Sequence, residues 1–195
     1  MLFRSTSKII WISLCIGLAC LGKYHGFILG LCLVAFCLTS TRCRQALLSK
    51  WLWLGLIVFA GAVFPIFYWN AQHDWISFRF QLGDRFSDYG AEPDRLSIGG
   101  LLGAIASQLG YLFPSIALPL WGISLKAAAE KITCLLHKAK NLTQVEQLHQ
   151  EKINFLLWTG VPVALLFTLA GGVTHTFPAW PAPGLWSLTI LVALS

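Results

Sequence analysis

The sequence predicts an all-α membrane protein, a polytopic bundle of transmembrane helices. Hydrophobic residues make up 56% of the chain and charged residues only 11%, whereas a soluble domain carries about 25% charged residues. The charged residues also cluster between long apolar runs, as expected because an ionisable side chain in hydrocarbon is costly. The mean hydropathy of +0.69 agrees with this class.

Apolar runs of membrane-spanning character recur along the chain, which we interpret as one transmembrane domain over residues 1–195. A full span needs about 20 residues, so the first two runs are short and the last one stops partway into a span. We therefore expect about five full spans and a partial sixth. The runs cover residues 9–22, 27–40, 51–69, 98–125, 153–172 and 185–195.

The segments between these runs have two different characters. Residues 70–97 and 173–184 are expected to form loops on one side of the membrane. Residues 126–152 repeat isoleucine and leucine at helical spacing with lysines between them, a pattern typical of an amphipathic helix. We expect that helix to lie along the opposite membrane surface, with its lysines near anionic headgroups.

The basic residues predict a cytoplasmic N-terminus. With that orientation, ten of the fourteen basic residues fall in cytoplasmic segments, and four (Lys23, Arg79, Arg85 and Arg95) fall outside. No cysteine falls in an external loop, where an oxidising compartment would favour disulfides. We therefore predict a multi-pass membrane protein with its N-terminus in the cytoplasm. The net charge of +6 does not indicate nucleic-acid binding, because the basic residues flank apolar runs and form no patch of their own.

Three polar motifs then lie on the external face of the membrane. They are residues 22–26, residues 65–81 and residues 174–184. Convergence of polar groups from distant parts of a chain on one surface is how a binding site is built. Lys23, in the first motif, has two open interpretations: its side chain extends to the interface, or it is the cationic partner of a lipid phosphate.

The second motif combines aromatic rings with polar side chains. The rings suit an interfacial aromatic belt, which does not explain the amides Asn70 and Gln81. If residues 75–81 are helical, Trp75 and Arg79 share a face. Arginine over an aromatic ring forms a cation–π pair, and its alternative use is forked binding to phosphate oxygens.

Two histidines complete the candidate groups. His73 beside Asp74 has the arrangement of an oriented histidine. His175 lies near Trp180 in a proline-stiffened loop, which forms either the wall of a sugar or lipid groove or a rigid interfacial connection. Zinc is not expected, because His25, His73 and His175 share no ligand spacing.

The stretches LACLGKYHGF, PIFYWNAQHDWISFRFQ and THTFPAWPAPG, in this order, resemble the bacterial membrane glycosyltransferases related to protein O-mannosyltransferases. These are GT-C fold enzymes of the glycosyltransferase 39 type, and they include a group that modifies lipopolysaccharide. The resemblance covers residues 9–195 and matches the middle and later part of that membrane domain.

The resemblance implies an enzyme that transfers a sugar from a polyprenyl-phosphate carrier to a lipid, glycan or protein acceptor outside the cytoplasmic membrane. The carrier-linked sugar is the donor, and no cofactor or metal is implied. An acidic residue in the first external loop of such enzymes acts as base, and basic and polar groups on later loops hold the departing phosphate. The residues assigned to the phosphate are Lys23, Tyr24, His73, Arg79, Gln81 and His175, with Asn70, Asp74, Trp75 and Trp180 in support.

The chain departs from that family at the catalytic base. No acidic residue precedes Lys23, so no catalytic residue is assigned, and Asp74 does not take that role because it lies in a later loop. We expect a partial enzyme that is inactive alone. Its expected partners are membrane lipids, the polyprenyl-phosphate-linked sugar and the missing N-terminal half of the enzyme.

Two other functions stay open at this point. A non-catalytic remnant or scaffold would keep an ancestral polar face without activity. A transporter or flippase subunit would place ionisable residues in mid-span, whereas the runs 27–40, 51–69 and 98–125 contain none.

Overall fold

The computed structural model describes residues 6–40, 42–81, 97–136, 143–173 and 176–194. Of these residues 86% are helical and none lies in a β-strand, which confirms the all-α class. The helices within these ranges are α1 (Thr6–Gly22), α2 (His25–Thr39), α3 (Arg44–Leu47), α4 (Lys50–Gln72), α5 (Ile76–Arg79), α6 (Ile98–Leu112), α7 (Pro114–Leu136), α8 (Gln144–Ala170) and α9 (Ala182–Ala193).

The chain divides into two compact units, Met1–Gly90 and Ala91–Ser195. The first unit contains α1 to α5, and in it α1 packs against both α2 and α4. Small residues allow α1 and α4 to approach closely. A Cβ atom at Gly17 would lie 2.6 Å from the Ala62 Cβ, and one at Gly55 would lie 2.6 Å from the Ser13 hydroxyl.

Helix α4 is the longest helix described in the first unit, with 23 residues. It begins after Ser49, whose hydroxyl accepts a hydrogen bond from the Trp51 N–H at 3.3 Å and caps the first turn. It continues to Gln72, so the external loop expected from residue 70 begins only at His73. The side chain of Asn70 is therefore held on a helix and not on a loop.

The second unit contains α6 to α9, and its most extensive helix contact joins α8 to α9. The two helices cross where a Cβ atom added to Gly184 would lie 2.5 Å from the Gly160 carbonyl oxygen. Leucines from α7, α8 and α9 bury themselves around this crossing. The buried core of the unit consists of Leu120, Leu156, Leu157, Ala164, Leu185, Leu188 and Leu191.

The run over residues 98–125, expected to form one span, consists of two helices with a break between them. Phe113 ends α6 with φ 60° and ψ 136°, and the axes of α6 and α7 differ in direction by 118°. The physical cause lies in the next residue, since a proline disfavours the α conformation of the residue before it, and Pro114 opens the new helix. Helix α7 then continues to Leu136, beyond the expected end of the span.

The amphipathic helix expected over residues 126–152 is divided between two longer helices. Its first part is the end of α7, and its last part is the start of α8, while residues 137–142 lie outside the described ranges. Thr143 begins α8 with a capping box, in which Thr143 N–H and Oγ1 each donate to the Glu146 carboxylate at 2.8 Å. This start signal places the polar residues before Ile153 on the same helix as the apolar stretch that follows.

Of the helices in the described ranges, α4 and α8 are long and apolar enough to cross a membrane, and the bent pair α6–α7 makes a third if it forms one span. The 15 residues of α2 extend only about 22 Å at 1.5 Å per residue, which is short of a hydrocarbon core of about 30 Å. The described residues thus contain two to three candidate spans. They are consistent with a membrane protein, but the expected five full spans and partial sixth are not confirmed.

Candidate functional site

The α1–α2 turn, residues 22–26, reverses the chain within a few residues. The Lys23 N–H donates to the Ala19 carbonyl at 2.9 Å, and the Lys23 carbonyl accepts from the Gly26 N–H at 2.9 Å. Gly26 is required for this reversal because a Cβ atom there would lie 2.5 Å from the Cys20 nitrogen. The result leaves the Lys23 side chain exposed and the Tyr24 ring half-buried.

The α4–α5 turn, residues 73–75, is held in place by Asn70 in the last turns of α4. Asn70 is 1% exposed. Its amide nitrogen donates to the Ile66 carbonyl at 2.9 Å, and its amide oxygen accepts from the Ser77 N–H at 3.1 Å. The Asn70 carbonyl also accepts from the N–H groups of His73 and Trp75, at 3.1 and 2.8 Å. One buried residue therefore fixes both ends of the turn.

Two adjacent residues of this turn lie in the left-handed region. Asp74 has φ 51° and Trp75 has φ 57°, a conformation that costs a residue with a Cβ atom about 1–2 kcal/mol. The bonds to Asn70 offset that cost. Backbone strain held in place by surrounding structure is a feature of binding and catalytic sites, which supports a functional role for the α4–α5 turn.

An aromatic cluster, formed by Tyr24, Phe27, Phe67, Trp75 and Phe78, joins the two turns. The ring centroids of Tyr24 and Phe78 lie 5.3 Å apart. Phe78 in turn lies 5.7 Å from Phe67 and 5.9 Å from Trp75. Two motifs separated by 38 residues of sequence therefore meet in one place. Lys23 directly precedes one ring of the contact, and Arg79 directly follows the other.

Arg79 is exposed, and its guanidinium lies beside the strained turn. Its Nη1 lies 3.5 Å from the Asp74 carbonyl oxygen, and the expected cation–π contact with Trp75 is not found in the described part of the chain. Gln81, which is half-buried, is the last described residue before Ser97. The position of Arg79 is compatible with the alternative use considered for it, the binding of an anion.

His73 is oriented by Trp69 and not, as expected, by Asp74. The imidazole stacks on the Trp69 ring with centroids 4.1 Å apart, and Nδ1 lies 2.7 Å from the Trp69 carbonyl oxygen. A carbonyl oxygen only accepts hydrogen bonds, so Nδ1 carries the proton. Nε2 is then the acceptor of the neutral ring, and the exposed side chain of Asp74 plays no part in this arrangement.

The third motif belongs to the second unit and is described only in part. His175 lies outside the described residues. Trp180 packs against Phe167 and Phe177, with ring centroids 5.8 Å away in each case, and Pro181 is buried at the start of α9. Trp180 is thus part of the packing of this unit. Within the described ranges, no three histidine, cysteine or acidic side chains come together as metal ligands.

A buried polar contact in the second unit was not anticipated from the sequence. Gln108 is 2% exposed, and its Nε2 donates to the Thr168 hydroxyl at 3.0 Å. That hydroxyl donates to the Ala164 carbonyl at 2.8 Å, so α6 is tied to α8 at this level. An amide inside an otherwise apolar helix was the signal available in the sequence.

The joined turns of the first unit carry side chains of the types that recognise anions. They offer two exposed cations and a histidine around a cluster of aromatic rings. Comparisons of the chain with known protein families, with characterised proteins and with solved structures found no match. The chemistry of this site therefore rests on its own geometry.

Proposed function

We propose that the joined α1–α2 and α4–α5 turns bind the phosphate of a polyprenyl-phosphate-linked sugar at the external face of a bacterial cytoplasmic membrane. In this proposal the chain contributes carrier binding to a membrane glycosyltransferase reaction. The observation that carries it is the 5.3 Å contact between the Tyr24 and Phe78 rings, because it brings the Lys23 and Arg79 turns to one place.

The two cations suit the two tasks of such a site. Lysine acts as a compact point charge toward a phosphate, and arginine binds phosphate oxygens with a planar fork of donors. When the sugar leaves the carrier, negative charge develops on the phosphate. Fixed donors stabilise that charge more strongly than water does, because they are already oriented when the bond breaks.

The aromatic cluster supports the same assignment through its position. Aromatic side chains with an apolar body and a polar edge are enriched at the boundary between hydrocarbon and water. Tyr24 and Trp75 bring such rings directly beside the turns. A carrier lipid has its phosphate at that boundary. The cations would therefore contact the phosphate, and the rings would contact the first part of the hydrocarbon chain.

The proposal assigns no residue of this chain as the base that activates the sugar acceptor. The resemblance assigns the base to an acidic residue in a first external loop, and no acidic residue of this chain precedes Asp74. Lys23, Arg79 and His73 are therefore proposed as binding and charge-stabilising residues. His73 contributes as an exposed ring of the same turn.

Direct binding measurements test the proposal. The full chain in nanodiscs of neutral phospholipid is titrated with polyprenyl phosphate and, separately, with the matching polyprenol. We expect the phosphate to bind more tightly, and Lys23→Ala with Arg79→Ala together to weaken its binding at least tenfold, since a hydrogen bond to a charged group contributes about 1.5–3 kcal/mol.

Arg42→Ala is the matched control, because Arg42 is an exposed cation of the same unit beyond the other end of α2. It should leave binding of polyprenyl phosphate unchanged. Equal affinity for polyprenyl phosphate and polyprenol, or an unchanged affinity in the double variant, would overturn the assignment.

A further inference from the structure

The first unit contains an apolar groove of about 420 Å³, whose lining includes Phe27 of the aromatic cluster but neither Lys23 nor Arg79. Helices α1, α2, α3 and α4 all contribute to it. Its walls are hydrocarbon side chains such as Ile12, Val34 and Phe59, and Ser13 supplies the one hydroxyl among the lining residues. An apolar cavity does not hold water, so in a bilayer this space is filled by hydrocarbon.

One end of the groove is basic. Ala46 and Leu47 of α3 line it there, together with Leu52 near the start of α4. Arg42 and Lys50 are exposed close by in sequence. We call this region, formed by Arg42, Arg44 and Lys50, the basic end.

Arg44 is fixed at this end by the backbone. Its Nε and Nη2 donate to the Leu38 carbonyl at 3.1 and 2.8 Å, where α2 ends and carbonyl groups lack helical partners. A permanent positive charge is thereby held at the C-terminal end of α2.

The cations of the basic end have no acidic neighbour along the chain. The first acidic residue in the sequence is Asp74, and it follows the far end of α4. Positive charge that is not balanced within the same segment attracts anionic headgroups at a membrane surface, by about 1 kcal/mol for each lysine or arginine.

Trp51 marks the depth of the basic end. Its ring lies 5.5 Å from Lys50 Nζ, and a tryptophan beside a lysine at the start of an apolar helix is typical of the headgroup level. In a membrane with Trp51 at headgroup level, the groove would extend from that level into the hydrocarbon. Its shape and charge correspond to one acyl chain with a negatively charged headgroup.

We propose that this groove binds an anionic phospholipid, with an acyl chain between α1, α2 and α4 and the headgroup phosphate at Arg42 and Lys50. By the predicted orientation this is a lipid of the cytoplasmic leaflet. Its headgroup position is separate from the proposed carrier phosphate position, because Lys23 and Arg79 lie beyond the opposite ends of α2 and α4. Binding of an anionic phospholipid in the groove does not require the chain to take part in sugar transfer.

Native mass spectrometry of the full chain in neutral detergent tests the headgroup assignment. The protein is titrated with phosphatidylglycerol and with phosphatidylcholine of the same acyl chains. We expect phosphatidylglycerol to bind at least tenfold more tightly, and Arg42→Ala with Lys50→Ala to abolish that preference. The matched control, Lys23→Ala with Arg79→Ala, should retain it.

A second pair of variants tests the groove. Val34→Trp fills it from the α2 side, whereas Leu38→Trp makes a similar change on the same helix at a residue that is 53% exposed and does not line the groove. We expect only Val34→Trp to weaken phosphatidylglycerol binding. The proposal is overturned if both lipids bind alike, if the Lys23 and Arg79 pair controls the preference, or if the two tryptophan variants behave alike.

Polyprenyl phosphate serves as a competitor in the same experiment. It should leave phosphatidylglycerol bound, because the two ligands are assigned to opposite ends of the unit. The opposite result has two parts: polyprenyl phosphate displaces phosphatidylglycerol, and Val34→Trp loses polyprenyl-phosphate binding. It would mean that the groove holds the chain of the carrier lipid. The phospholipid inference would then be overturned, while the carrier proposal would stand.

Discussion

At the residue scale, the candidate site depends on a buried amide. Asn70 holds the strained α4–α5 turn through its side chain and its carbonyl. Its two side-chain bonds join Ile66 of α4 to Ser77 of α5, and a substitution at Asn70 removes both at once. The shape of the turn, and hence the position of Arg79, therefore follows from Asn70.

Asn70→Ala should lower the free energy of unfolding by about 1–3 kcal/mol, because it leaves the Ile66 carbonyl and the Ser77 N–H without these partners. The measurement is thermal unfolding in detergent, followed by the binding of polyprenyl phosphate, which should weaken as the turn relaxes. Gln72→Ala, two residues further on at an exposed position, is the control. Equal effects of the two substitutions would contradict the role given to Asn70.

Residue types were predictable at this site, but their partners were not. The sequence identified His73, Asn70 and Arg79 as candidates, yet His73 is oriented by the Trp69 carbonyl and Arg79 lies near the Asp74 carbonyl. Side-chain periodicity indicates which residues share a helix face. It does not indicate a turn with two left-handed residues, since neither Asp74 nor Trp75 is a glycine.

At the element scale, close helix contacts depend on glycine. At the α8–α9 crossing, the Cα atom of Gly184 faces the Gly160 carbonyl group. The space between them is too small for a methyl group. Such contacts bring two helices together through small residues, which is a common arrangement between membrane helices.

Gly184→Ala should lower the free energy of unfolding by about 1–3 kcal/mol, as overpacking does, because the new Cβ atom would lie 2.5 Å from the Gly160 carbonyl oxygen. Gly122→Ala in α7 is the matched control, since nothing lies within 4 Å of its added methyl group. It should be neutral or stabilising, as alanine is the better helix former. Thermal unfolding in detergent compares them, and a Gly184→Ala protein as stable as Gly122→Ala would disprove the close crossing.

Some helix boundaries could be predicted from the sequence, whereas others are not visible in its hydrophobicity pattern. The apolar runs located α1, α2, α4 and α9 to within a few residues. The break between α6 and α7 was not visible in the apolar run over residues 98–125. Hydropathy does not reflect the backbone restriction that Pro114 imposes on Phe113. A capping box at Thr143 likewise starts α8 before its apolar part.

At the scale of the whole molecule, charge is distributed unevenly along the first unit. Basic residues occur beyond both ends of α2, whereas acidic residues are absent until Asp74. Each end can therefore attract an anion, and the two proposals assign a different lipid phosphate to each. The all-α class followed from composition, but the number of spans did not, because helix length and the α6–α7 bend decide it.

Photoaffinity mapping tests the central claim, that the joined turns of the first unit bind a carrier phosphate. The full chain in nanodiscs is labelled with polyprenyl phosphate that carries a photoreactive group next to the phosphate, and the labelled peptides are sequenced. We expect labels around Tyr24 and around Phe78, because their rings lie 5.3 Å apart, with competition by polyprenyl phosphate and none by polyprenol. Labels confined to other helices, or equal competition by polyprenol, would contradict the claim.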